Sequence, residues 1–479
     1  MVRGEYHFVS MAKGAWGMGA EHLREAVVKA DARVGLCCAL TVVRVALLVG
    51  FVALCLWNVF HIGLGVMDGG PDETMRALLP QAMVNGNILP SGYDQEAIYS
   101  FGNWSYAFYP QMLGAYASAF FMKVAQLLGG SESLVFTSGR FASVFFGLIA
   151  VICCERVVYF VMRRVTGSEA RARLAGCVAT AMLAFWPQFT FLSSYMNNDI
   201  VALCGVSMIV CALSLGMGEG WDYRRSALLG AGVTVSALGY WNSYGFVLMG
   251  IALYLYSCLT QRPLEATRGR LVFVAAGIPA VCVLPFFAIN LVRYHDLLGM
   301  SAFREAYNRW LADGGEVLQH PYEKGIRSLL LDTDWVLSTT RSFVGFLGYM
   351  TIPMPFIFCL LYLGTVSTGL GAFFSHRGVF FATMRSRLIF VGSLLACVLC
   401  VYLSLYYSTR VDFQPQGRYI IYCLVPLIIS ASLGVSSFAD GPTKAQLIGL
   451  TVVTALLIGS CAWFFVSTAL DAGWAGVVL

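Results

Sequence analysis

Apolar runs recur along the whole chain, at 38–62, 106–128, 139–162, 172–192, 199–217, 226–240, 244–260, 271–292, 349–373, 388–406, 419–438 and 446–468. Most lie near the roughly 20 residues that an α-helix needs to cross a hydrocarbon core. A soluble domain built round one core does not repeat in this way, so the pattern predicts an all-α polytopic membrane protein. The polar segments between runs carry short basic clusters, and these decide the topology. Arg24, Lys29 and Arg33 precede the first run, while Arg163, Arg164, Arg171 and Arg173 follow the third. Both clusters belong on the cytoplasmic side, and three crossings cannot join two points on one side. The 106–128 run, interrupted by Gln111, Lys123 and Gln126, is therefore expected to lie in the outer leaflet as a juxtamembrane helix.

With that choice the remaining basic groups fall inside: Arg224 and Arg225; Arg262, Arg268 and Arg270; Arg377, Arg385 and Arg387; and Lys444. About eleven spans result, with the N-terminus cytoplasmic and the C-terminus outside. The expected organisation is a cytoplasmic N-terminal segment (1–37), a transmembrane module (38–292) containing a first outer loop (63–138), a second outer loop (293–348) and C-terminal transmembrane helices (349–479). Long loops with helices of their own are commonly functional, and both long loops lie on the same side.

Composition sharpens this picture. The 479 residues are 58% hydrophobic and 12% charged, half of the roughly 25% charge of a soluble domain. The formal charge of +5 sits in topology anchors rather than along one face, which excludes nucleic acid as an expected partner. The fifteen cysteines lie in or beside apolar runs, and Cys397 and Cys400, although spaced C-x-x-C, read as buried thiols.

Candidate chemistry gathers at the outer ends of the spans. The first outer loop holds Asp68, Asp72 and Glu73 among glycines and a proline that argue for a tight turn. A carboxylate fixed there could take a proton from an attacking hydroxyl or hold a divalent cation; equally, Asp72 or Glu73 could cap a helix beginning near Thr74. Asp199, in Ser193-Ser194-Tyr195-Met196-Asn197-Asn198-Asp199, either caps the span it opens or joins Asp72 in a shared polar cavity. Arg418 stands where a span begins, on the side where positive residues are sparse, and so calls for an anionic partner. Arg341 is a second arginine of this kind. A guanidinium fork suits a phosphate, with lipid headgroup contact as the alternative. The 293–348 loop mixes charges with aromatics and could cover a cleft; His295 and His320 read as surface residues.

Gly70-Pro71-Asp72-Glu73, then Tyr109-Pro110 opening a helix, then Arg140 starting a span, resembles the GT-C superfamily of glycosyltransferases that use lipid-phospho-sugars. The segments GPDE, SSYMNND, RSFVGFLGYM and QGRYIIYCLVP, in this order, are similar to the bacterial membrane family catalogued as domain of unknown function 2142. That family often has a His soon after the Asp-Glu pair, where this chain has Thr74, Met75 and Arg76.

The resemblance implies a GT-C-like bundle in the cytoplasmic membrane. It implies inverting transfer of a sugar from a polyprenyl phosphate or diphosphate to an outer-face acceptor such as a cell-envelope glycan. Asp72 would be the base, ionised at neutral pH given an ordinary pKa of about 3.9. Glu73 and Asp199 would orient the acceptor or complete a Mg or Mn site with Asp72. Arg418, with Arg341, would stabilise the departing lipid phosphate, and Arg140, Tyr109 and Asp68 would line the substrate site. The rival reading is a transporter or flippase of a lipid-linked sugar. Transporters place ionisable groups at the bilayer midplane and show internal repeats, whereas these carboxylates sit at span ends.

Overall fold

The computed structural model describes residues 20–61, 70–260, 265–437 and 444–471; Asp68 and Arg262 lie outside the described residues. Among the described residues, nine helices are long and apolar enough to cross a membrane: Val34–His61, Glu132–Thr166, Asp199–Glu219, Trp241–Thr260, Arg268–Tyr294, Phe356–Ser375, Met384–Arg410, Gly417–Val435 and Ala445–Leu470. The protein is an all-α integral membrane protein.

Two further apolar runs form shorter helices. Tyr223–Ala237 has 15 residues, and the 172–192 run divides into Glu169–Ala184 and Pro187–Leu192. The division has a local cause. Pro187 donates no N–H, and the residue before a proline is pushed out of the helical region, as Trp186 is at φ −77°, ψ 116°. The Phe185 carbonyl at the break accepts from the Tyr362 hydroxyl at 3.0 Å, and the Trp186 indole donates to the Phe343 carbonyl at 2.7 Å.

Asp199–Glu219 is the central helix, with 94% of its apolar window inside the protein, against 6% for Arg268–Tyr294 at the periphery. Its Gly205 lies against Gly232 of Tyr223–Ala237 so closely that a Cβ on Gly205 would come 2.8 Å from the Gly232 carbonyl oxygen. Small residues permit this approach where lipid provides no hydrophobic drive between helices.

Outside the spans, the first long loop forms the helix Glu73–Val84, a 3-10 turn at Tyr106–Phe108 and the helix Leu113–Leu127. The helical part of the 106–128 run is thus shorter than its apolar stretch. It packs on Glu73–Val84 and leaves Phe120, Leu127 and Leu128 exposed, as a helix lying in an interface would. The run at 349–373 begins its helix only at Phe356, because residues 346–353 form a small hairpin pairing Phe346 with Pro353. His295 and His320 are exposed, and all fifteen cysteines are free.

Candidate functional site

Pro71 and Asp72 lead into the helix Glu73–Val84. Asp72 occupies the N-cap position with φ 64°, a left-handed conformation unusual for a residue with a Cβ, and its side chain makes no cap hydrogen bond. Instead its Oδ2 accepts from Arg418 Nη2 at 2.8 Å, while Arg418 Nη1 donates to the Pro71 carbonyl at 3.4 Å. Among the described residues Oδ1 of Asp72 receives no hydrogen bond, and the side chain remains 23% exposed beside an almost fully buried Arg418. Burial alone would raise the Asp72 carboxyl, but the Arg418 guanidinium, and after it Arg76, hold it below the usual carboxylate range. The pocket thus contains an ionised carboxylate with one oxygen held and one open.

Arg418 is brought there by Gly417. A Cβ on Gly417 would lie 2.2 Å from the Phe343 nitrogen, and the Gly417 N–H donates to Ser342 Oγ at 2.7 Å. This docking seats the turn Gly417–Cys423 on the helix Thr333–Val344 and aims Arg418 inward. Tyr422, one turn on, donates to Asp199 Oδ1 at 2.8 Å. Asp199 opens its span as the first helical residue, with Asn198 at the cap position, so its carboxylate is held by Tyr422 and does not cap the helix.

Glu73, adjacent to Asp72 in sequence, faces a different environment. Arg140 forks onto it, Nε to Oε1 and Nη2 to Oε2, both at 2.8 Å. Met196 N–H donates to Oε1 at 2.9 Å and Gly70 N–H to Oε2 at 3.3 Å. Arg140 also donates to the Val59 carbonyl at 2.8 Å. The pair, at 1% and 2% exposure, ties the end of the first span, the loop before Asp72 and the Tyr195–Met196 turn together. Charge-assisted bidentate pairs are the strong and directional kind of hydrogen bond.

Tyr109 is buried among Tyr106, Trp241 and Phe303 in an aromatic wall beside the pocket. Arg341 stands apart: Nη2 reaches the Met354 carbonyl at 3.5 Å, and the guanidinium lies over Phe346. The chain therefore brings Asp72, Asp199 and Arg418 together and sends Arg341 toward the hairpin.

Two kinds of residue escaped the sequence reading. Arg76 lies one turn after Asp72 on the same helix, a spacing that by itself could have flagged it. It is buried with its guanidinium over the Tyr106 ring, 4.1 Å from the centroid. Tyr106 and Tyr195 carry phenols that burial pushes well above their ordinary range, so both stay neutral near the two arginines. Arg418 Nε and the Tyr195 hydroxyl are buried with no hydrogen-bond partner among the described residues, which marks a pocket shaped for something polar.

Asp72, Glu73 and Asp199 do not fit a divalent cation site. Arg140 and backbone N–H groups take both Glu73 oxygens, Arg418 takes one of Asp72 and Tyr422 one of Asp199. Among the described residues no three His, Cys, Asp or Glu side chains gather as metal ligands.

No protein-family model matches the chain, and no curated protein matches it in sequence. The resemblance to domain of unknown function 2142 therefore rests on its four short motifs. Among solved structures, the chain is similar to the apo oligosaccharyltransferase of Archaeoglobus fulgidus, with TM-score 0.53 and 13% identity over 90% of this chain and 56% of the archaeal one. It spans about half the length of that enzyme. ArnT from Cupriavidus metallidurans, apo and bound to undecaprenyl phosphate, aligns at TM-score 0.47 with 15% and 14% identity, over 89% of this chain and 75% of ArnT. The archaeal likeness shows a shared fold of membrane-spanning helices.

Proposed function

We propose that this protein is an inverting glycosyltransferase that moves a sugar from a polyprenyl-phosphate or polyprenyl-diphosphate donor to a hydroxyl acceptor at the outer face of the cytoplasmic membrane. The observation that carries the reading is the Asp72 carboxylate, locked at 2.8 Å by Arg418 through Oδ2 and open through Oδ1. Known GT-C chemistry, a fold-level analogy, agrees with it.

In this reading Asp72 Oδ1 accepts the proton of the acceptor hydroxyl as its oxygen forms the new bond to the anomeric carbon. The bond from that carbon to the lipid phosphate oxygen breaks on the opposite face, and the electron pair leaves with the phosphate. A depressed pKa makes Asp72 a modest base, but one that is always ionised. That suffices when the proton becomes acidic only as the bond forms. Arg418 fixes the carboxylate, and its buried Nε offers one more donor to the departing phosphate oxygen. Asp199, oriented by Tyr422, positions the acceptor. Glu73 and Arg140 hold the loop that carries Asp72, and Tyr109 presents an aromatic wall to the sugar. Arg341 supports the donor site through the helix that seats Gly417. A cell-envelope glycan is the acceptor class expected for such a site.

The test is Asp72→Asn, which keeps size and hydrogen bonding while removing the charge. We expect sugar transfer to vanish while expression and binding of the lipid donor persist. Full transfer by the folded variant would refute the assignment of the base.

A further inference from the structure

Arg76 has no role in the transfer step described above, and its surroundings are unusual for a buried cation. The residue is 8% exposed. Among the described residues its guanidinium has no hydrogen-bonded or ion-paired partner, and Nε is wholly buried and unsatisfied. Its guanidinium lies over the face of Tyr106. Arg418 and Arg140, by comparison, each hold a carboxylate at 2.8 Å. Asp72 and Asp199 act on Arg76 through charge but neither forms an ion pair with it, and a buried guanidinium N–H that finds no acceptor is costly. Such a group persists where a ligand completes it.

The space in front of Arg76 is small, about the size of a single polar group. It is a narrow crevice between the helices Glu73–Val84 and Leu113–Leu127, closed by the turn at Met196–Asn198. Tyr106, Gln111, Ser118, Asn197 and Asn198 line it together with Arg76. The Gln111 amide is held in place by donating to the Tyr244 hydroxyl at 2.8 Å, and Asn198 by donating to the Gln111 carbonyl at 3.1 Å. No carboxylate lines the crevice. Asn197 spends its amide N–H groups on the Leu192 and Tyr195 carbonyls, which leaves one cation, the remaining N–H groups of Gln111 and Asn198 and the hydroxyls of Tyr106 and Ser118 as groups able to hold a planar or tetrahedral oxyanion.

We propose that the Arg76 crevice is an oxyanion subsite of the substrate. The proposal rests on the glycosyltransferase reading above and adds an anionic group that the substrate must carry. That group is either the phosphate of the lipid donor or an acidic substituent, such as a uronate carboxylate, on the sugar or acceptor. Both present the same chemistry to a guanidinium fork. Arg418 spends Nη2 on Asp72 and Nη1 on the Pro71 carbonyl and keeps only Nε, so Arg76 is the cation of the two whose fork is not engaged.

The experiment measures binding to full-length purified protein in lipid nanodiscs, comparing the unchanged protein with Arg76→Gln and Arg76→Lys. The probes are undecaprenyl phosphate and methyl glucuronide, with methyl glucoside as the uncharged control. We expect Arg76→Gln to weaken one of the two anionic probes at least tenfold, Arg76→Lys to weaken it less, and neither to alter the glucoside. Loss confined to undecaprenyl phosphate assigns the crevice to the donor phosphate; loss confined to the glucuronide assigns it to an acidic sugar. Equal binding of both anions by all three proteins overturns the subsite, and so does the absence of saturable binding of either anion to the unchanged protein. Should Arg76→Gln fail to fold, Arg76→Lys decides alone, since a point charge does not replace a fork at a bidentate site. Transfer activity measured in parallel separates the two readings. Anion binding that depends on Arg76 without any transfer would leave the subsite standing and sink the enzyme. Transfer unaffected by either Arg76 variant would do the reverse.

Discussion

Arg418 and Asp72 are 346 residues apart in the chain and 2.8 Å apart in space. This contact turns the first long loop and the start of a late span into one pocket, and it predicts a graded response to substitution. Arg418→Ala leaves a largely buried carboxylate uncompensated, whereas Arg418→Lys keeps a charge but loses the fork. Donor binding is expected to fall more in the alanine variant than in the lysine variant. The alanine variant should also lose roughly 3 kcal/mol of stability. Titration with undecaprenyl phosphate and thermal unfolding in detergent measure the two effects. Unchanged donor binding in both variants would remove Arg418 from the phosphate site.

A second prediction concerns pH. Burial would raise the Asp72 carboxyl, but Arg418 and then Arg76 depress it overall. A carboxylate depressed on folding contributes stability that is fully present above its unfolded pKa of about 3.9 and is lost as pH falls through the lower folded value. Asp72 is therefore ionised throughout pH 5 to 8, and no acid limb of activity in that window arises from it. Arg418→Gln removes the strongest opposing charge and lets burial act, so the acid limb should move up in that variant. A pH profile of kcat/KM that is identical in the two proteins would contradict the coupling.

The Glu73–Arg140 pair predicts a structural phenotype. Both partners are almost fully buried, so Glu73→Gln should destabilise the protein by about 3 to 5 kcal/mol, read as a large drop in apparent Tm. Replacing both together by apolar residues of similar size, Glu73→Leu with Arg140→Met, should cost less than the sum of the two single changes. Additive losses would show that the two side chains do not act as a unit.

Gly417 gives a purely steric test. An added methyl group meets the Phe343 and Thr339 backbone, which has little freedom to yield. Gly417→Ala is expected to cost roughly 1 to 3 kcal/mol and to lower donor affinity by displacing Arg418. Wild-type stability in this variant would mean that the turn is seated differently.

The membrane character and most helices were legible in the sequence, because crossing a bilayer depends on local hydropathy and length, which any window of the chain displays. Asp72, Glu73, Asp199 and Arg418 could be picked out for the same reason, as polar groups beside apolar runs. Their partners were not. Asp72 is turned by its left-handed backbone while Glu73 is the first residue of the helix, so the two look alike in sequence while facing different neighbours. Only the packed structure assigned one to Arg418 and the other to Arg140. It also divided the 172–192 run at Trp186, turned Arg341 toward Met354, and left the buried Arg76 Nε without a hydrogen-bond partner among the described residues. Each of these is a contact or an absence of contact between distant segments, and no property of a single stretch of chain encodes it.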